Sequence, residues 1–356
     1  MSLCRLSAAE AAQTHTGARG GAGRRVGVGR VRPRGGWGRA PGGVPLTNRS
    51  RYPRRMTAVV IGDALIDEIR DASGVRELVG GAALNVAVGL CRLGVETTLI
   101  AMVGDDEAGR HIREYLRDHG VRLIDSPAPL GSSRAVVTWS SAGEPQYAFN
   151  EAARGRSIRY GDEARETIST ADVVAISCFP FDRPDEVDAL VDALQDARIA
   201  VDPNPRSGMM GDVAEFVRGF ELLAARAELV KVGADDATLL YDGDIDALRG
   251  HLRRLGAGAV LATAGAAGAV LETDAGVFRA PIASLPGPVV DTVGAGDATL
   301  AAVAAGLSQG EPRTDAEWQQ LLDDAMLIAA ATCRAEGGLL RTLESLQEAE
   351  RGVFGS

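Results

Sequence analysis

The segment Val173-Val-Ala-Ile-Ser177, followed by Pro184 to Ala197 and then by Ile199-Ala-Val201, decides the fold. Two short apolar runs enclose an amphipathic stretch long enough for a helix, and this order predicts a strand, a helix and a second strand. The apolar runs are continuous rather than alternating, which is typical of parallel strands covered on both faces. The segment therefore predicts one βαβ crossover of a parallel sheet.

The same succession of apolar runs and amphipathic segments extends in both directions from this crossover. It predicts further strands at Ala58 to Ile61, Thr97 to Val103, Leu229 to Val232 and Ala259 to Thr263. Because the predicted helices lie between these strands, the fold class is expected to be α/β. The expected architecture is a doubly wound, mainly parallel sheet flanked by helices.

A different pattern interrupts this succession. The runs Ser133-Arg-Ala-Val-Val-Thr-Trp139 and Gln146-Tyr-Ala-Phe-Asn150 flank a turn-like spacer, which predicts a β-hairpin. Together with Glu68 to Val79, the hairpin predicts a small β-sheet that projects from the main sheet as a lid, over about residues 66–80 and 133–150. A lid excludes water from the active site, so that hydrolysis does not compete with the catalysed reaction.

The charge distribution excludes two classes of partner. The formal net charge is −10, yet residues 1–55 contain 12 Arg and one acidic residue, Glu10, which leaves 26 basic and 47 acidic residues in the remainder. A body this acidic repels nucleic acid backbones, so no nucleic acid partner is expected. No stretch approaches the roughly 20 apolar residues of a membrane span, so no membrane partner is expected either.

Residues 1–55 are rich in Gly, Arg and Pro and show no periodicity, which predicts a disordered basic arm. Three interpretations stay open: a targeting peptide, a basic nucleic-acid tail, or upstream sequence translated from a start codon placed too early. The third is favoured because Met56 directly precedes the first predicted strand and the arm lacks the apolar region of a secretory signal. The folded domain is then expected at 56–345, with a C-terminal tail at 346–356.

The strongest local signal for function is Asp291-Thr-Val-Gly-Ala-Gly-Asp297, which precedes an apolar helix predicted from Ala298 to Leu307. Around Gly294 and Gly296 the backbone N–H groups can turn onto a phosphate, and the helix dipole adds partial positive charge there. The carboxylate of Asp297 can then take the proton from an attacking hydroxyl. The pattern predicts an ATP-dependent small-molecule kinase; the alternative is a glycine-rich turn with a helix-capping Asp.

Three other chemical motifs are absent from the sequence. Lys231 is the only lysine and stands in Leu-Val-Lys-Val-Gly, so there is no Gly-x-x-x-x-Gly-Lys loop. A dinucleotide fingerprint that began at Gly294 would need a third glycine where Thr299 stands, which leaves an NAD-dependent oxidoreductase as a weakly supported alternative. The four cysteines have no zinc-site spacing and favour a reducing cytoplasm.

A second cluster of candidate residues lies near the start of the folded sequence. The run Gly80-Gly81-Ala-Ala-Leu-Asn85 opens a helix predicted from Val86 to Leu93, and its glycines permit close approach to a ligand. The amide of Asn85 and the carboxylate of Asp67 suit sugar hydroxyls, because together they both donate and accept hydrogen bonds. The alternative is that Asn85 caps the helix and that Asp67 is a solvated loop residue.

Both clusters resemble the signature sequences of a known enzyme family. The stretch from Gly80 to Gly94, the run from Asp291 to Asp297, and their separation of roughly two hundred residues resemble the two signatures of the PfkB (ribokinase-like) carbohydrate kinases. The resemblance covers about residues 57–340. It implies ATP-dependent phosphorylation of a sugar hydroxyl with Mg²⁺, and it implies a role for each candidate residue.

The implied base is Asp297, and the implied anion hole consists of Gly294, Ala295 and Gly296. The implied sugar-binding residues are Asp67, Gly80, Gly81 and Asn85. The implied nucleotide-binding residues are Lys231, Thr263, Gly265, Gly268, Cys333 and Gly337. The resemblance also implies a monovalent cation such as K⁺, held near Asp291.

The chain departs from the family pattern at its magnesium-organising motif. The family's Asn-x-x-Glu aligns with Gly233-Ala-Asp-Asp236, so the amide is lost and the acid is shortened. Asp236 keeps an oxygen ligand that can bind Mg²⁺ through water. The altered spacing puts the geometry of this network, and the efficiency of catalysis, in question.

The expected substrate is a small sugar, with fructose as the leading candidate. The run Asp202-Pro-Asn-Pro-Arg206 and the hairpin from Arg134 to Phe149 resemble fructokinase-like members of the family. Open alternatives are 2-keto-3-deoxygluconate, ribose and nucleosides, and a non-catalytic sugar-binding relative is an alternative of another class. Lid sheets of this kind pair between subunits in the family, which implies a homodimer through the lid.

Overall fold

Apolar strands form a nine-stranded sheet and a separate four-stranded sheet in the computed structural model, which describes residues 56–71, 74–139 and 145–347. The strands are β1 (Thr57–Gly62), β2 (Leu65–Asp71), β3 (Gly74–Gly80), β4 (Glu96–Met102), β5 (Arg122–Ser126), β6 (Ser133–Trp139), β7 (Pro145–Phe149), β8 (Val173–Ser177), β9 (Ile199–Asp202), β10 (Leu229–Gly233), β11 (Ala259–Thr263), β12 (Ala269–Thr273) and β13 (Val277–Ala280). The helices are α1 (Ala82–Arg92), α2 (Glu107–Asp118), α3 (Glu151–Arg154), α4 (Asp162–Thr170), α5 (Pro184–Leu194), α6 (Val213–Ala224), α7 (Ala234–Tyr241), α8 (Ile245–Leu255), α9 (Ala295–Ser308) and α10 (Asp315–Thr332). The predicted arm at 1–55 and most of the predicted tail lie outside the described residues.

The large sheet has the strand order β13-β12-β11-β10-β9-β8-β1-β4-β5. All neighbours from β11 to β5 are parallel, and β12 and β13 add antiparallel strands at one edge. This confirms the predicted doubly wound, mainly parallel architecture. The prediction missed β5, β12 and β13, because these strands lie at or near the sheet edges and their side chains are only partly buried.

The sheet buries one hydrophobic core on each face. Ala58 and Val60 of β1 pack into a core with α1, α2, α9 and α10, whereas Val59 and Ile61 pack into a core with α4 to α8. Successive side chains of a strand point to opposite faces, so a strand buried on both faces needs an unbroken apolar run. No helix in the residues described is both long and apolar enough to cross a membrane.

The small sheet confirms the predicted lid, with the strand order β3-β2-β6-β7. Four chain connections join it to the large domain, and Asn150 links two of them, the one before β6 and the one after β7. The amide nitrogen of Asn150 donates to the carbonyl of Ser132 at 3.0 Å, and its oxygen accepts from the amides of Arg134 and Ala153 at 3.0 and 2.9 Å. The lid therefore has a defined base at the edge of the large sheet where the strands end.

Candidate active site

The candidate residues gather where the parallel strands end, at their carboxyl edge. The last residues of neighbouring strands are in register there, because Ser177 pairs with Asp202 and Gly233 pairs with Thr263. Helices α1 and α9 begin at the same edge, as Asn85 in the first reaches Asp297 in the second. Ligands of open α/β sheets bind at this edge.

Helix α9 begins at Ala295, three residues earlier than the sequence predicted. Gly294 is its N-cap with φ of 75°, and a Cβ at this position would collide with the backbone of Gly338. Ala295 and Gly296 are thus first-turn residues rather than loop residues. Their amides lie at the helix N-terminus, where amides have no carbonyl partner four residues earlier and an anion can bind. The amide of Ala295 donates to the carbonyl of Thr292 at 3.3 Å.

Asp297 lies in the first turn of α9 and is only 7% exposed. Its Oδ2 accepts a hydrogen bond from Nδ2 of Asn85 at 2.9 Å, and its Oδ1 accepts one from Nδ2 of Asn204 at 3.3 Å. Burial raises the pKa of Asp297 to about 6, although the bond from Asn85 and the positive charges of Lys231 and Arg206 oppose the rise. The group is therefore ionised at neutral pH and ready to accept a proton.

The helices that carry Asn85 and Asp297 pack against each other through small residues. A Cβ on Gly89 of α1 would lie 3.0 Å from the Cβ of Ala301 in α9. A Cβ at this distance would be closer than ordinary van der Waals contact. The backbone of α1 at Gly89 therefore lies directly against the side chain of Ala301 in α9. Their first turns are consequently held at a fixed separation.

Asn85 does not cap helix α1, because the helix begins at Ala82 with Gly81 as its N-cap. The capping alternative is therefore wrong, and the helix starts four residues before the predicted Val86. The start is earlier because Ala82 to Leu84 are buried helix formers. Asn85 lies in the helix with its amide directed at Asp297 instead.

Glycine is required at Gly80 and Gly81 by the packing of the protein as well as for the close approach of a ligand. A Cβ on Gly80 would collide with the carboxylate of Asp67, and a Cβ on Gly81 would lie 2.8 Å from the carbonyl oxygen of Asp63. Asp67 belongs to strand β2 and is partly buried, so it is not a solvated loop residue. Burial and the neighbouring Asp63 raise the pKa of Asp67 to about 6, while Arg206 opposes the rise.

Lys231 lies beneath the first turn of α9 and is not on an open surface. Its side chain is 8% exposed and its Nζ lies 2.8 Å from Oδ2 of Asp202, which is fully buried. A Cβ on Gly296 would lie 3.1 Å from the same Nζ. Two of the predicted residues, Lys231 and Gly296, are therefore brought together.

Asp236 lies in the first turn of α7, beside the end of β10. Its Oδ2 accepts a hydrogen bond from the amide of Gly233 at 2.6 Å, and burial raises its pKa to about 6 even though Lys231 opposes the rise. In the described part of the chain, no group of three or more His, Cys, Asp or Glu side chains converges as a metal site. Mg²⁺ in phosphoryl-transfer sites keeps several waters and needs only one or two carboxylates, so Asp236 fits this use.

The predicted nucleotide turn follows strand β11. Thr263 ends the strand and its hydroxyl donates to the carbonyl of Val232 at 3.3 Å. Gly265 and Gly268 then adopt φ of 53° and 87°, and a Cβ on Gly268 would collide with the carbonyl of Ala280. The turn requires glycine at Gly268 for its own packing, independently of any ligand.

The segment after α10 lies against the segment before α9. The carbonyl of Cys333 accepts from the amide of Val290 at 2.9 Å, and Oδ2 of Asp291 accepts from the amide of Gly337 at 3.0 Å. Oδ1 of Asp291 accepts from the amide of Val293 at 3.0 Å. Asp291 thus braces the two segments, and its role in holding a monovalent cation stays a prediction.

The loop after β9 was used to compare substrates, but its residues were not included in the predicted site. Asn204 contacts Asp297, and Arg206 interacts electrostatically with Asp297, Asp63 and Asp202 from a solvent-exposed position. Asn204 has φ of 37°, which few residues other than glycine adopt. The signal was available, because polar residues and two prolines directly follow a buried strand in Asp202-Pro-Asn-Pro-Arg206.

Comparisons with known proteins identify related carbohydrate and riboside kinases. The family model for the pfkB family of carbohydrate kinases matches residues 56–343. A fructokinase of Rhizobium leguminosarum bv. trifolii is 31% identical over 74% of this chain and 84% of its own, and an aminoimidazole riboside kinase of Salmonella typhimurium is 30% identical over 79% and 90%. The crystal structure of aminoimidazole riboside kinase from Salmonella enterica, complexed with aminoimidazole riboside and an ATP analog, is 27% identical with a TM-score of 0.66, over 82% of this chain and 99% of that one.

Proposed function

Because the chain belongs to the pfkB family of carbohydrate kinases, and is thus a sugar or nucleoside kinase, we propose that it transfers the γ-phosphoryl group of ATP to a hydroxyl of fructose. The observation that carries the mechanism is the position of Asp297. A buried carboxylate, held by two side-chain amides, stands beside the first-turn amides of a helix. This is the geometry that a base needs beside an anion site.

In the proposed reaction, Asp297 accepts the proton of the acceptor hydroxyl as the hydroxyl oxygen attacks the γ-phosphorus. The bond between the γ-phosphorus and the oxygen that bridges it to the β-phosphorus breaks, and ADP leaves. The amides of the N-cap Gly294 and of the first-turn residues Ala295 and Gly296 stabilise the negative charge on the phosphoryl oxygens. Asn85 keeps Asp297 oriented, and its own amide oxygen stays available to the sugar. Asp67 accepts a hydrogen bond from a sugar hydroxyl beside Gly80 and Gly81.

The nucleotide is proposed to lie along the ends of β10 and β11. The proposed contacts are the turn from Thr263 to Gly268 and the segment from Cys333 to Gly337. Bound Mg²⁺ would neutralise phosphate charge, with Asp236 holding it through water. K⁺ near Asp291 remains part of the proposal, as do the domain bounds 56–345, a cytoplasmic location and a homodimer through the lid.

Aminoimidazole riboside is a second candidate substrate, and the structural relative found with this ligand favours it. Asp67, the proposed acceptor of a hydroxyl hydrogen bond, would serve a ketose and a riboside equally, because both carry hydroxyl groups. Discrimination between them is then proposed to depend on the residues of the small sheet.

A substrate panel tests the proposal. Purified protein with ATP and Mg²⁺ is supplied separately with fructose, ribose, 2-keto-3-deoxygluconate, adenosine and aminoimidazole riboside, and both ADP formation and product mass are measured. The proposal expects the highest kcat/KM with fructose. Preference for a riboside would establish the second candidate, and ADP formation that no acceptor increases would reject both.

The pH dependence of turnover follows from the raised pKa of Asp297. The base must be ionised to accept a proton, so kcat is expected to fall about tenfold per pH unit below about pH 6 and to be level from about pH 7 to 8. The measurement is kcat at saturating ATP and sugar from pH 4.5 to 8.5, with circular dichroism at each pH to verify folding. A kcat that stays level down to pH 5 would contradict the assignment.

A further inference from the structure

Lys231 has a buried charge that no step of the proposed reaction uses. The chain contains one lysine, and that residue is placed inside the protein in the middle of the central strand β10. Burial is costly for an ammonium group unless an opposite charge compensates it. Asp202 supplies this compensation at 2.8 Å, and both side chains are withdrawn from water.

The charge of Lys231 is retained in this environment. Burial alone would lower the pKa of Lys231, but the negative charges of Asp202, Asp236 and Asp297 outweigh it and raise the pKa above its usual value. Asp202 comes from β9, Asp236 from α7 and Asp297 from α9, so acids from three neighbouring elements surround the ammonium group. Arg206 is the other cation that acts on these acids.

The ammonium group lies directly under the first turn of α9. The distance of 3.1 Å between its Nζ and the position of a Cβ on Gly296 means that glycine is what permits this approach. A positive charge here adds to the partial positive charge of the helix N-terminus. In a water-poor site such fixed charges act strongly on charge that develops during a reaction.

We propose that Lys231, oriented by Asp202, is a positioning residue that acts through the first turn of α9 rather than by contact with the nucleotide. Its ammonium group strengthens the attraction of the Gly294–Gly296 amides for the transferring phosphoryl group and assists the ionisation of Asp297. Asp202 fixes the ammonium group in this place. This inference rests on the proposed kinase reaction and assigns to that reaction a buried ion pair.

The unique lysine permits a test on the unaltered protein. Protein labelled with [¹³Cε]lysine gives one lysine NMR signal, because the chain has no other lysine. Addition of a non-hydrolysable ATP analogue with Mg²⁺ is expected to shift this signal, and ADP with Mg²⁺ is expected to shift it less, because ADP lacks the γ-phosphoryl group. An unchanged signal at saturating analogue would overturn the proposal.

Kinetics of variants provide a second test. Lys231→Met is expected to lower kcat about 10- to 100-fold and to raise the apparent pKa of kcat by about one unit, because it removes a positive charge that favours ionised Asp297. Lys231→Arg is expected to restore part of both quantities. Arg249→Met breaks an ion pair with Glu272 away from the site and serves as the control, with kcat and pH profile unchanged.

The outcomes separate this inference from the proposed function. If the wild type transfers phosphate to no acceptor, the proposed function fails, and this inference fails with it. If the wild type is active but Lys231→Met keeps the same kcat and pH profile, only this inference is overturned. Should Lys231→Met fail to fold, the double variant Lys231→Met/Asp202→Asn, which removes both members of the ion pair, replaces it and is expected to show the same loss of kcat.

Discussion

Asp297→Asn is expected to lower kcat by about two to four decades while the KM for the sugar changes by less than about threefold. An asparagine fills the same space and can still contact Asn85, so the pocket keeps its shape. It cannot accept a proton from the acceptor hydroxyl, so the chemical step loses its base. The measurement is steady-state kinetics at pH 7.5 with the preferred sugar.

The control for this substitution is Asp235→Asn. Asp235 is also an acid in the first turn of a helix, but it is exposed at the start of α7. Its replacement is expected to leave kcat unchanged within about twofold. A variant Asp297→Asn that retains wild-type turnover would remove Asp297 from the mechanism.

The same substitution should stabilise the fold at neutral pH. The raised pKa of Asp297 means that protonation favours the folded state, so this stability is present below about pH 4 and is lost as the pH rises through about 6. At pH 7 the ionised group costs about 2–3 kcal/mol, and Asn avoids this cost while it loses about 1 kcal/mol of hydrogen bonding. We expect Tm at pH 7 to be equal or higher, which would separate loss of activity from loss of folding.

Gly294→Ala is expected to abolish measurable turnover and to destabilise the fold by about 2–4 kcal/mol. Two causes act together at this position: φ is 75°, and the added Cβ would collide with backbone atoms of Gly338, which cannot move aside as a side chain can. The turn must shift, and the first-turn amides lose their alignment. Denaturant unfolding and kcat are the two measurements.

Gly94→Ala is the matched control for Gly294→Ala. Gly94 has a similar φ of 88°, but a Cβ there would meet no atom within 4 Å. We expect it to cost about 1 kcal/mol of stability and no turnover. Equal effects at the two glycines would show that backbone conformation, and not the approach to Gly338, determines the result.

The sequence predicted the elements whose hydrophobic residues follow a simple pattern. The buried runs at β8 and β11 were predicted with their observed bounds, since strands covered on both faces are continuously apolar. The edge strands β12 and β13 were missed because partial exposure weakens that signal. The start of α9 was placed too late because glycine has a low helix propensity, which the packing of Gly294 against Gly338 overrides.

The sequence predicted which residues form the candidate site but not the hydrogen bonds between them. Asp297 and Asn85 were both singled out, yet their hydrogen bond joins residues 212 positions apart and leaves no local pattern. The contact between Asn204 and Asp297 likewise depends on the order of strands in the sheet. Lys231 appeared as a lone basic residue in an apolar strand, and only the fold places it under Gly296.

The near-backbone contact between Gly89 and Ala301 has a consequence for how such an enzyme diversifies. Helices α1 and α9 are packed closely at this point, so a change in the position of either helix disturbs the other. The four-stranded sheet is joined to the large domain by four short connections, two of which are held together by the hydrogen bonds of Asn150. A change of acceptor is therefore expected to arise most readily from substitutions in the four-stranded sheet. Such substitutions leave the packing of α1 against α9 unchanged.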